Sequence, residues 1–291
     1  MKIGIVTDTS SGLDFETAKK NNIYLVPMSF TIGNNEYNDF NLTKEDFYKL
    51  IKENSDIHTS QPSSTVVSKV FDEALKEYDK ILYFPITSGL SSSYDTSVFL
   101  SNEEKYKGKV FPVDHRTISV ALVNALKDCK RLIDKNLEPE KIKNLFEENS
   151  KNNSVYIMVE TLDYLKKGGR VSPLVASIGN LFKIKPLMFS DGGSFDVVMK
   201  TRSIEKAKEA IIEYIKSDIK TKFKDENLSN YDIGVAHTRN IEEANKFKSE
   251  IVEAFKIEDN EVIVNELPLI IACHIGPGSI AAAIYKRINE Y

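Results

Sequence analysis

Three loops rich in hydroxyl side chains stand out in the first half of the sequence. They are DTSS at 8–11, TSQPSS at 59–64 and SGLSSS at 88–93. The first and third follow apolar runs that are typical of strands, and open α/β sheets bind ligands at the carboxyl ends of their strands. Hydroxyls ahead of a helix also lie beside free N–H groups at the positive end of its dipole. Together the loops predict an anion site, although each alone is equally typical of helix caps and turns.

One histidine has neighbours that suit a ligand site. His274 is followed by Gly276, Pro277 and Gly278, and glycine allows a backbone to approach a ligand closely. We expect this segment to open a last helix over about 276–291, and a purely structural histidine is the alternative. A triad of Ser91, His274 and Asp8 stays open, because triads assemble from distant positions. The sequence has no phosphate loop, dinucleotide fingerprint, HExxH or nucleophile elbow.

The elements that must position these side chains alternate between apolar runs and amphipathic helical patterns, as in βαβ units. Strands are expected at 2–6, 23–30, 80–86, 109–113, 154–159, 232–236 and 261–267, and 183–200 reads as two strands joined by a Gly-Gly turn. A polar stretch near residue 150 separates the first group of strands and helices from the second. We therefore predict an α/β protein of two domains. Residues 1–152 form a three-layer domain with a mostly parallel sheet, residues 153–275 form a second domain with a mixed sheet, and the helix at 276–291 packs back on the first.

Composition narrows the classes of function. The chain has 291 residues and a formal net charge of -4, which argues against nucleic acid as a partner. Its apolar runs are shorter than the ~20 residues that span a bilayer, and its first residues resemble a strand more than a signal peptide. Cys129 and Cys273 lie far apart, which disfavours zinc and disulfide frameworks. We expect a cytoplasmic protein without metal or cofactor, which contacts a membrane surface transiently at most.

Six short motifs occur in a characteristic order: TDTSSGL, TSQPS at 59–63, SGLSSSY at 88–94, KGGR at 167–170, IKP at 184–186 and HIGPG at 274–278. The set resembles the bacterial DegV family over nearly the whole chain. The resemblance implies a DegV-like fold and a long-chain fatty acid, such as palmitate, stearate or oleate, as the ligand. It also implies a non-catalytic carrier in phospholipid metabolism, which presents the acid to a separate fatty acid kinase subunit that makes an acyl phosphate.

The resemblance also assigns roles to individual residues. It places the ligand carboxylate on Thr59, Ser91 and His274, and contact with the kinase on Arg202. Additional candidates for the head group are Ser60, Ser92, Arg170 and Gly276. The usual SGLSGTY of the family is SGLSSSY here, so that serines stand at 92 and 93 where glycine and threonine are usual.

The acyl chain needs an apolar wall as well as a polar head site. We expect this wall to comprise Leu174, Val175, Ala176, Ile178, Leu181, Ile270, Ile271 and Ala272, a pattern that an ordinary core would share. Two other functions remain open at this point. One is a serine acyl hydrolase that uses Ser91 and His274, and the other is an anion-binding regulatory domain that lacks a long apolar tunnel.

Overall fold

The computed structural model describes residues 1–53, 56–177 and 184–288. The strands are β1 (Ile3–Asp8), β2 (Ile23–Val26), β3 (Ser29–Ile32), β4 (Asn35–Asn38), β5 (Ile57–Thr59), β6 (Lys80–Phe84), β7 (Val110–Pro112), β8 (Asn153–Met158), β9 (Lys185–Ser190), β10 (Asp196–Thr201), β11 (Tyr231–His237), β12 (Ile263–Glu266) and β13 (Ile280–Lys286). The α-helices are α1 (Phe15–Lys20), α2 (Lys44–Glu53), α3 (Ser64–Ala74), α4 (Ser93–Ser101), α5 (Ser119–Asp134), α6 (Pro139–Asn149), α7 (Asp163–Lys167), α8 (Pro173–Ala176), α9 (Ile204–Ser217), α10 (Ile241–Phe255) and α11 (Leu269–Ile275).

The first sheet is parallel and has the strand order β2-β1-β6-β7. Its two central strands are nearly continuous apolar runs because helices cover both faces. Helices α3 and α4 pack on one face, and α5 and α6 pack on the other. Side chains along β6 therefore alternate between two cores, with Tyr83 facing α3 and its neighbours Leu82 and Phe84 facing the opposite side.

The second sheet is mixed and has the order β10-β9-β8-β13-β11-β12. Its pairs are antiparallel except for β11 and β12. Helices α9 and α10 cover one face, and α5 packs on the other through β11 and β13. Helix α5 therefore lies between the two sheets and contacts both. The α/β class predicted from the sequence, with one parallel and one mixed sheet, is confirmed.

A small antiparallel sheet of order β4-β3-β5 completes the architecture. It arises because the apolar run at 23–30 is two strands rather than one. Pro27 lies between β2 and β3 and has no N–H to continue a ladder, so the chain leaves the first sheet there and enters the small one. Strand β5 ends at Thr59, and the small sheet thereby carries one of the predicted site residues.

The prediction of a last helix over 276–291 is wrong. Residues 280–286 form β13, which pairs with β8 on one side and β11 on the other. Alanine favours helices in isolation, but the run Ala281-Ala282-Ala283 is buried between two strands that need hydrogen-bonding partners, and tertiary context overrides propensity. Strand β8 begins at Asn153, and the division into domains at 152/153 stays a prediction.

Within residues 1–53, 56–177 and 184–288, every helix is too short or too polar to cross a lipid bilayer.

Candidate functional site

Two residues far apart in sequence meet at the centre of the site. Thr59 ends β5, and His274 lies in the last turn of α11. The Thr59 hydroxyl and His274 Nε2 are 2.9 Å apart and form a hydrogen bond. His274 therefore ends a helix instead of preceding one, and the turn that follows it leads into β13. The sequence prediction that these two residues are neighbours in space is consistent with this geometry.

The His274 imidazole is neutral at physiological pH. Burial, and then the nearby Arg170 guanidinium, lower its pKa to about 4, since both penalise the imidazolium form. Its second nitrogen, Nδ1, is buried and has no hydrogen-bond partner among the described residues. The ring can thus offer one N–H donor without carrying a charge.

Gly168 holds this ring in place by lying against it. A Cβ built on Gly168 would be 1.9 Å from His274 Nδ1, a distance that no side chain tolerates. The KGGR loop therefore needs glycine at 168 because the imidazole occupies the space of a side chain. Gly168 is not among the residues predicted from the sequence, where its only signal is the pair of glycines ahead of Arg170.

Arg170 joins two loops at the edge of the site. Its Nε donates to the Leu90 carbonyl at 3.2 Å, and its Nη1 donates to the carbonyl of Gly168. Burial lowers the pKa of its guanidinium, although the group stays charged at any ordinary pH. Among the described residues no acceptor pairs with Nη2, so that a bound anion could take this donor.

Ser91 lies in the loop between β6 and α4 and faces the same space. Its hydroxyl is 2.9 Å from that of Ser93 and accepts from the Ser93 N–H at 3.2 Å. A packed neighbour fixes this loop, because the Thr87 hydroxyl donates to the Gly192 carbonyl at 2.5 Å. Gly89 lies close to the turn between β9 and β10, which contains Gly192. A Cβ on Gly89 would be only 2.2 Å from the Gly192 carbonyl oxygen.

An apolar cavity extends from these polar groups. The space between its lining atoms, including the part that is open to solvent, is about 490 Å³. Its polar end comprises Thr59, Ser60, Gln61, Ser91, Arg170 and His274, and its walls are Met28, Ile86, Leu90, Ile118, Leu165, Phe195, Ile270, Ile271 and Ile275. We call this the proximal cavity.

Some of the predicted tunnel residues are elsewhere. Ile270 and Ile271 line the proximal cavity, whereas Ala272 is buried on another side of α11. In the short helix α8, Val175 packs into the core but Leu174 is 76% exposed and Ala176 is also exposed. The prediction is therefore wrong for Leu174 and Ala176, because Val175 is the residue of this short helix that faces the core. Ile178 and Leu181 lie outside the described residues.

A second apolar space continues past the proximal cavity. It has about 360 Å³ and shares Ile118, Phe195, Ile271 and Ile275 with its neighbour. We call it the distal cavity. Its floor is the face of the second sheet that meets α5, where Ala236, Ala281 and Ala283 leave room that larger side chains would fill.

On the other side of the Thr59–His274 pair a polar cleft opens. The cleft, including the part that is open to solvent, has a volume of about 1110 Å³. It shares Thr59, Arg170 and His274 with the proximal cavity. Lys52, His58, Lys167 and Asp163 are among its remaining lining residues. The pair thus forms part of the wall between an apolar interior and an open, charged cleft.

Three of the predicted residues do not line the cavities. Ser92 is exposed at the start of α4, and its hydroxyl caps no backbone group there. Gly276 has φ +72° and packs against Tyr164, where a Cβ would be 2.4 Å from the ring. Arg202 is exposed, immediately before the Ser203 cap of α9, and lines a separate surface depression with Lys200 and Lys206.

The first hydroxyl-rich loop has a structural role. Asp8 accepts from Ser10 N at 3.0 Å and from Ile86 N at 2.7 Å, and Ser11 donates to the Asp8 carbonyl. Burial raises the pKa of Asp8 to about 6. These groups lie outside both cavities, so that two of the three predicted loops contribute to the site instead of three.

The hydrolase triad is not assembled among the described residues. The Ser91 hydroxyl pairs with Ser93, His274 Nε2 pairs with Thr59, and the Asp8 carboxylate is occupied by Ser10 and Ile86. A triad needs its histidine bonded to both other members, and here neither bond is made.

Comparison with known proteins agrees with this architecture. The model of the DegV family, described as uncharacterised proteins, matches residues 2–287. A DegV domain-containing protein of Staphylococcus aureus strain N315 is 31% identical over 284 residues, which cover 97% of this chain and 98% of the relative. A DegV domain-containing protein of Clostridium acetobutylicum is 29% identical over 292 residues, which cover 99% of each chain.

Solved structures show the same fold. One is a DegV family protein from Thermus thermophilus that is described as binding fatty acid. It has a TM-score of 0.86 and 25% identity, and the match covers 98% of this chain and 100% of that one. A fatty acid-binding DegV family protein of Streptococcus agalactiae has a TM-score of 0.84 and 25% identity, and covers 98% and 99% of the two chains. The resemblance found in the sequence is confirmed, and the chain belongs to the DegV family.

Proposed function

We propose that this protein binds a long-chain fatty acid, with the acyl tail in the proximal and distal cavities and the carboxylate at Thr59, Ser91 and His274. The observation that carries the proposal is the Thr59–His274 hydrogen bond at the polar end of an otherwise apolar cavity. The similar proteins of Thermus thermophilus and Streptococcus agalactiae, both described as binding fatty acids, support it.

The free energy of binding a fatty acid fits a site with an apolar cavity for the tail and a polar end for the carboxylate. Burial of about fifteen methylene groups at ~0.8 kcal/mol each gives a gross gain of ~12 kcal/mol, of which ordering the chain removes a part. A desolvated carboxylate needs several donors to avoid a net cost. The Thr59–His274 pair keeps one donor hydrogen beyond its mutual bond, and the Ser91 hydroxyl and Nη2 of Arg170 supply the others.

Mass spectrometry of organic extracts tests the ligand directly. Freshly purified protein should carry a fatty acid of about C14 to C18 in a ratio near one to one, enriched over an unrelated control protein purified in parallel. The Thr59→Val variant should lose affinity by ~1–3 kcal/mol, the usual cost of an unpaired buried group, and Thr59→Ser should keep it. Extracts with no enrichment of free fatty acid would contradict the proposal.

We further propose that the protein presents the carboxylate to a separate fatty acid kinase subunit. The polar cleft supports this step, because it reaches the Thr59–His274 pair from outside while the tail stays buried. Arg202 is our candidate for the kinase contact. It lies at the start of α9, where the positive end of the dipole disfavours a cation and makes an external anionic partner favourable.

Variants at matched ligand occupancy separate carrying from presenting. Arg202→Ala should bind fatty acid normally but support acyl phosphate formation poorly, whereas Lys20→Ala, a change at an exposed cation at the end of α1, should leave both unchanged. Full kinase activity with Arg202→Ala would move the contact elsewhere and leave the binding proposal intact.

A serine acyl hydrolase is the alternative that the sequence left open. A mechanism-based serine label discriminates the two functions, because a carrier should not react at Ser91. The observed pairing of Ser91 with Ser93 favours the carrier.

A further inference from the structure

The distal cavity contains one polar side chain in an apolar lining. Among the described residues that line it, all are aliphatic or aromatic except Ser119. Ser119 is the first residue of α5 and is only 4% exposed. Ser119 therefore lines the space that we assign to the acyl tail, and it does not line the proximal cavity that contains Thr59.

This hydroxyl has no partner in the described structure. Ser119 Oγ is buried and makes no hydrogen bond, although nearly all buried polar side-chain atoms in proteins do. An alanine at this position would avoid the penalty of an unpaired hydroxyl, and alanine already occupies three neighbouring positions of the cavity floor.

The start of α5 adds further donors at the same place. The residue before the helix is Ile118, which has no polar side chain, and no side chain caps the first turn. Ile118, Ser119 and Val120 all line the distal cavity. The first turn of a helix has free N–H groups and a partial positive charge, which favour an oxygen atom as a neighbour.

We infer that the distal cavity recognises a hydroxyl group on the tail of the fatty acid. The ligand class is a long-chain hydroxy acid whose hydroxyl lies well beyond the carboxylate, so that Ser119 can donate to it and accept from it. A double bond fits less well, because it has no lone pair for the donors and no proton for Ser119. This inference rests on the proposed function and specifies its ligand.

The test compares stearate with hydroxystearates in which the hydroxyl is moved along the tail, and 2-hydroxystearate serves as the member substituted near the head group. Calorimetry on delipidated protein measures each affinity. At least one tail-hydroxylated acid should bind the wild type as tightly as stearate or more tightly. Ser119→Ala should weaken that acid by about tenfold and leave stearate and 2-hydroxystearate within about threefold.

Two further variants guard against trivial effects. Ser119→Gly also removes the hydroxyl and suits the positive φ of 50° at this residue, so it should reproduce the result if alanine perturbs the fold. Ser279→Ala is the matched control, because Ser279 Oγ is likewise buried and unpaired but lines neither cavity. It should leave all affinities unchanged.

The inference and the proposed function fail in different ways. If the wild type binds stearate but rejects every tail-hydroxylated acid, or if Ser119→Ala affects all ligands equally or none, the inference is overturned while fatty acid binding stands. If the wild type binds neither stearate nor any hydroxystearate, the proposed function itself fails.

Discussion

One imidazole is held in a fixed orientation at the candidate site. His274 is held by Thr59 on one nitrogen and by the backbone of Gly168 beside the other. Gly168→Ala should push the ring out of position and weaken fatty acid binding by ~1–3 kcal/mol, since a buried donor loses its geometry. Calorimetry is the suitable measurement, because the chain has no tryptophan.

Gly193→Ala is the control for this prediction. Gly193 lies in the turn that packs on the Ser91 loop, but a Cβ there would meet its nearest neighbour at 3.5 Å, an ordinary contact. Equal affinities in the Gly168→Ala and Gly193→Ala variants would show that the ring does not depend on Gly168.

The low pKa of His274 also predicts how binding depends on pH. With a pKa of about 4, the imidazole is neutral through the range from about pH 6 to 8 and donates an N–H without charge. Affinity for a fatty acid should therefore be flat across this range. If an imidazolium paired with the carboxylate instead, affinity would fall as pH rose through the histidine pKa. A fall centred near pH 6.5 would be evidence for the charged form.

At the scale of elements, a carboxylate on the small sheet holds the helix that carries His274. Asp39 lies just after β4 and accepts a hydrogen bond of 2.6 Å from the backbone N–H of Leu269. Leu269 is the first residue of α11. The same small sheet carries Thr59 at the end of β5. One three-stranded sheet thus fixes both members of the central pair, one through its own strand and the other through a helix cap.

Removal of this cap should affect both stability and binding. Asp39→Ala should lower the free energy of unfolding by ~1–3 kcal/mol, the usual cost of leaving a buried N–H without its partner, and weaken fatty acid binding as α11 shifts. Thermal unfolding and calorimetry measure the two effects. Unchanged affinity in Asp39→Ala would mean that other contacts fix α11.

Asp39→Asn keeps an acceptor oxygen and serves as the control. Burial raises the pKa of Asp39 to about 6, so the native state holds this proton more tightly than the unfolded chain does. The resulting contribution to stability is present in acid and is lost as pH rises through about 6. Asn cannot ionise. At neutral pH the free energy of unfolding of this variant should therefore be no lower than that of the wild type.

The sequence predicts some elements well because one local pattern determines them. The buried strands β1 and β6 were expected from the apolar runs at 2–6 and 80–86, and are found. The small sheet was missed because β4 (NEYN) and β5 (IHT) are short and polar. Their pairing depends on contacts across the chain, which no local pattern records.

The same distinction applies to the site. Thr59, Ser91, Arg170 and His274 belong to recognisable motifs, and the structure brings them to one cavity. The contacts of Gly168 and Asp39 depend on distant partners, and the unpaired hydroxyl of Ser119 depends on the lack of one. These features appear only when the fold is known. The position of β13 belongs to the same group, because the sheet that surrounds it overrides the preference of its alanines.

At the scale of the whole molecule, the cavities lie in a core that both large sheets share. The buried residues of α5, of the first sheet and of the inner face of the second sheet form one continuous apolar cluster. A ligand in this layer contacts both halves, so that its binding should stabilise them together.

Delipidation tests this coupling. Removal of bound lipid should lower the unfolding temperature by several degrees, and palmitate at about 100 times its dissociation constant should restore ~2.7 kcal/mol. Calorimetry should show a single transition that moves as a whole. Two transitions, only one of which responds to palmitate, would contradict the shared core.

The position of β13 has a consequence for the protein during its synthesis. This strand follows every other described strand in the chain, yet it lies between β8 and β11 and supplies Ala281 and Ala283 to the floor of the distal cavity. A nascent chain that has emerged from the ribosome only as far as residue 279 can assemble the first sheet but has a gap in the second. Until the segment 280–286 is released, the edges of β8 and β11 are unpaired and exposed to wrong partners, and the distal cavity lacks part of its floor. We therefore expect a fatty acid, the ligand that we propose, to bind only after that segment has left the exit tunnel.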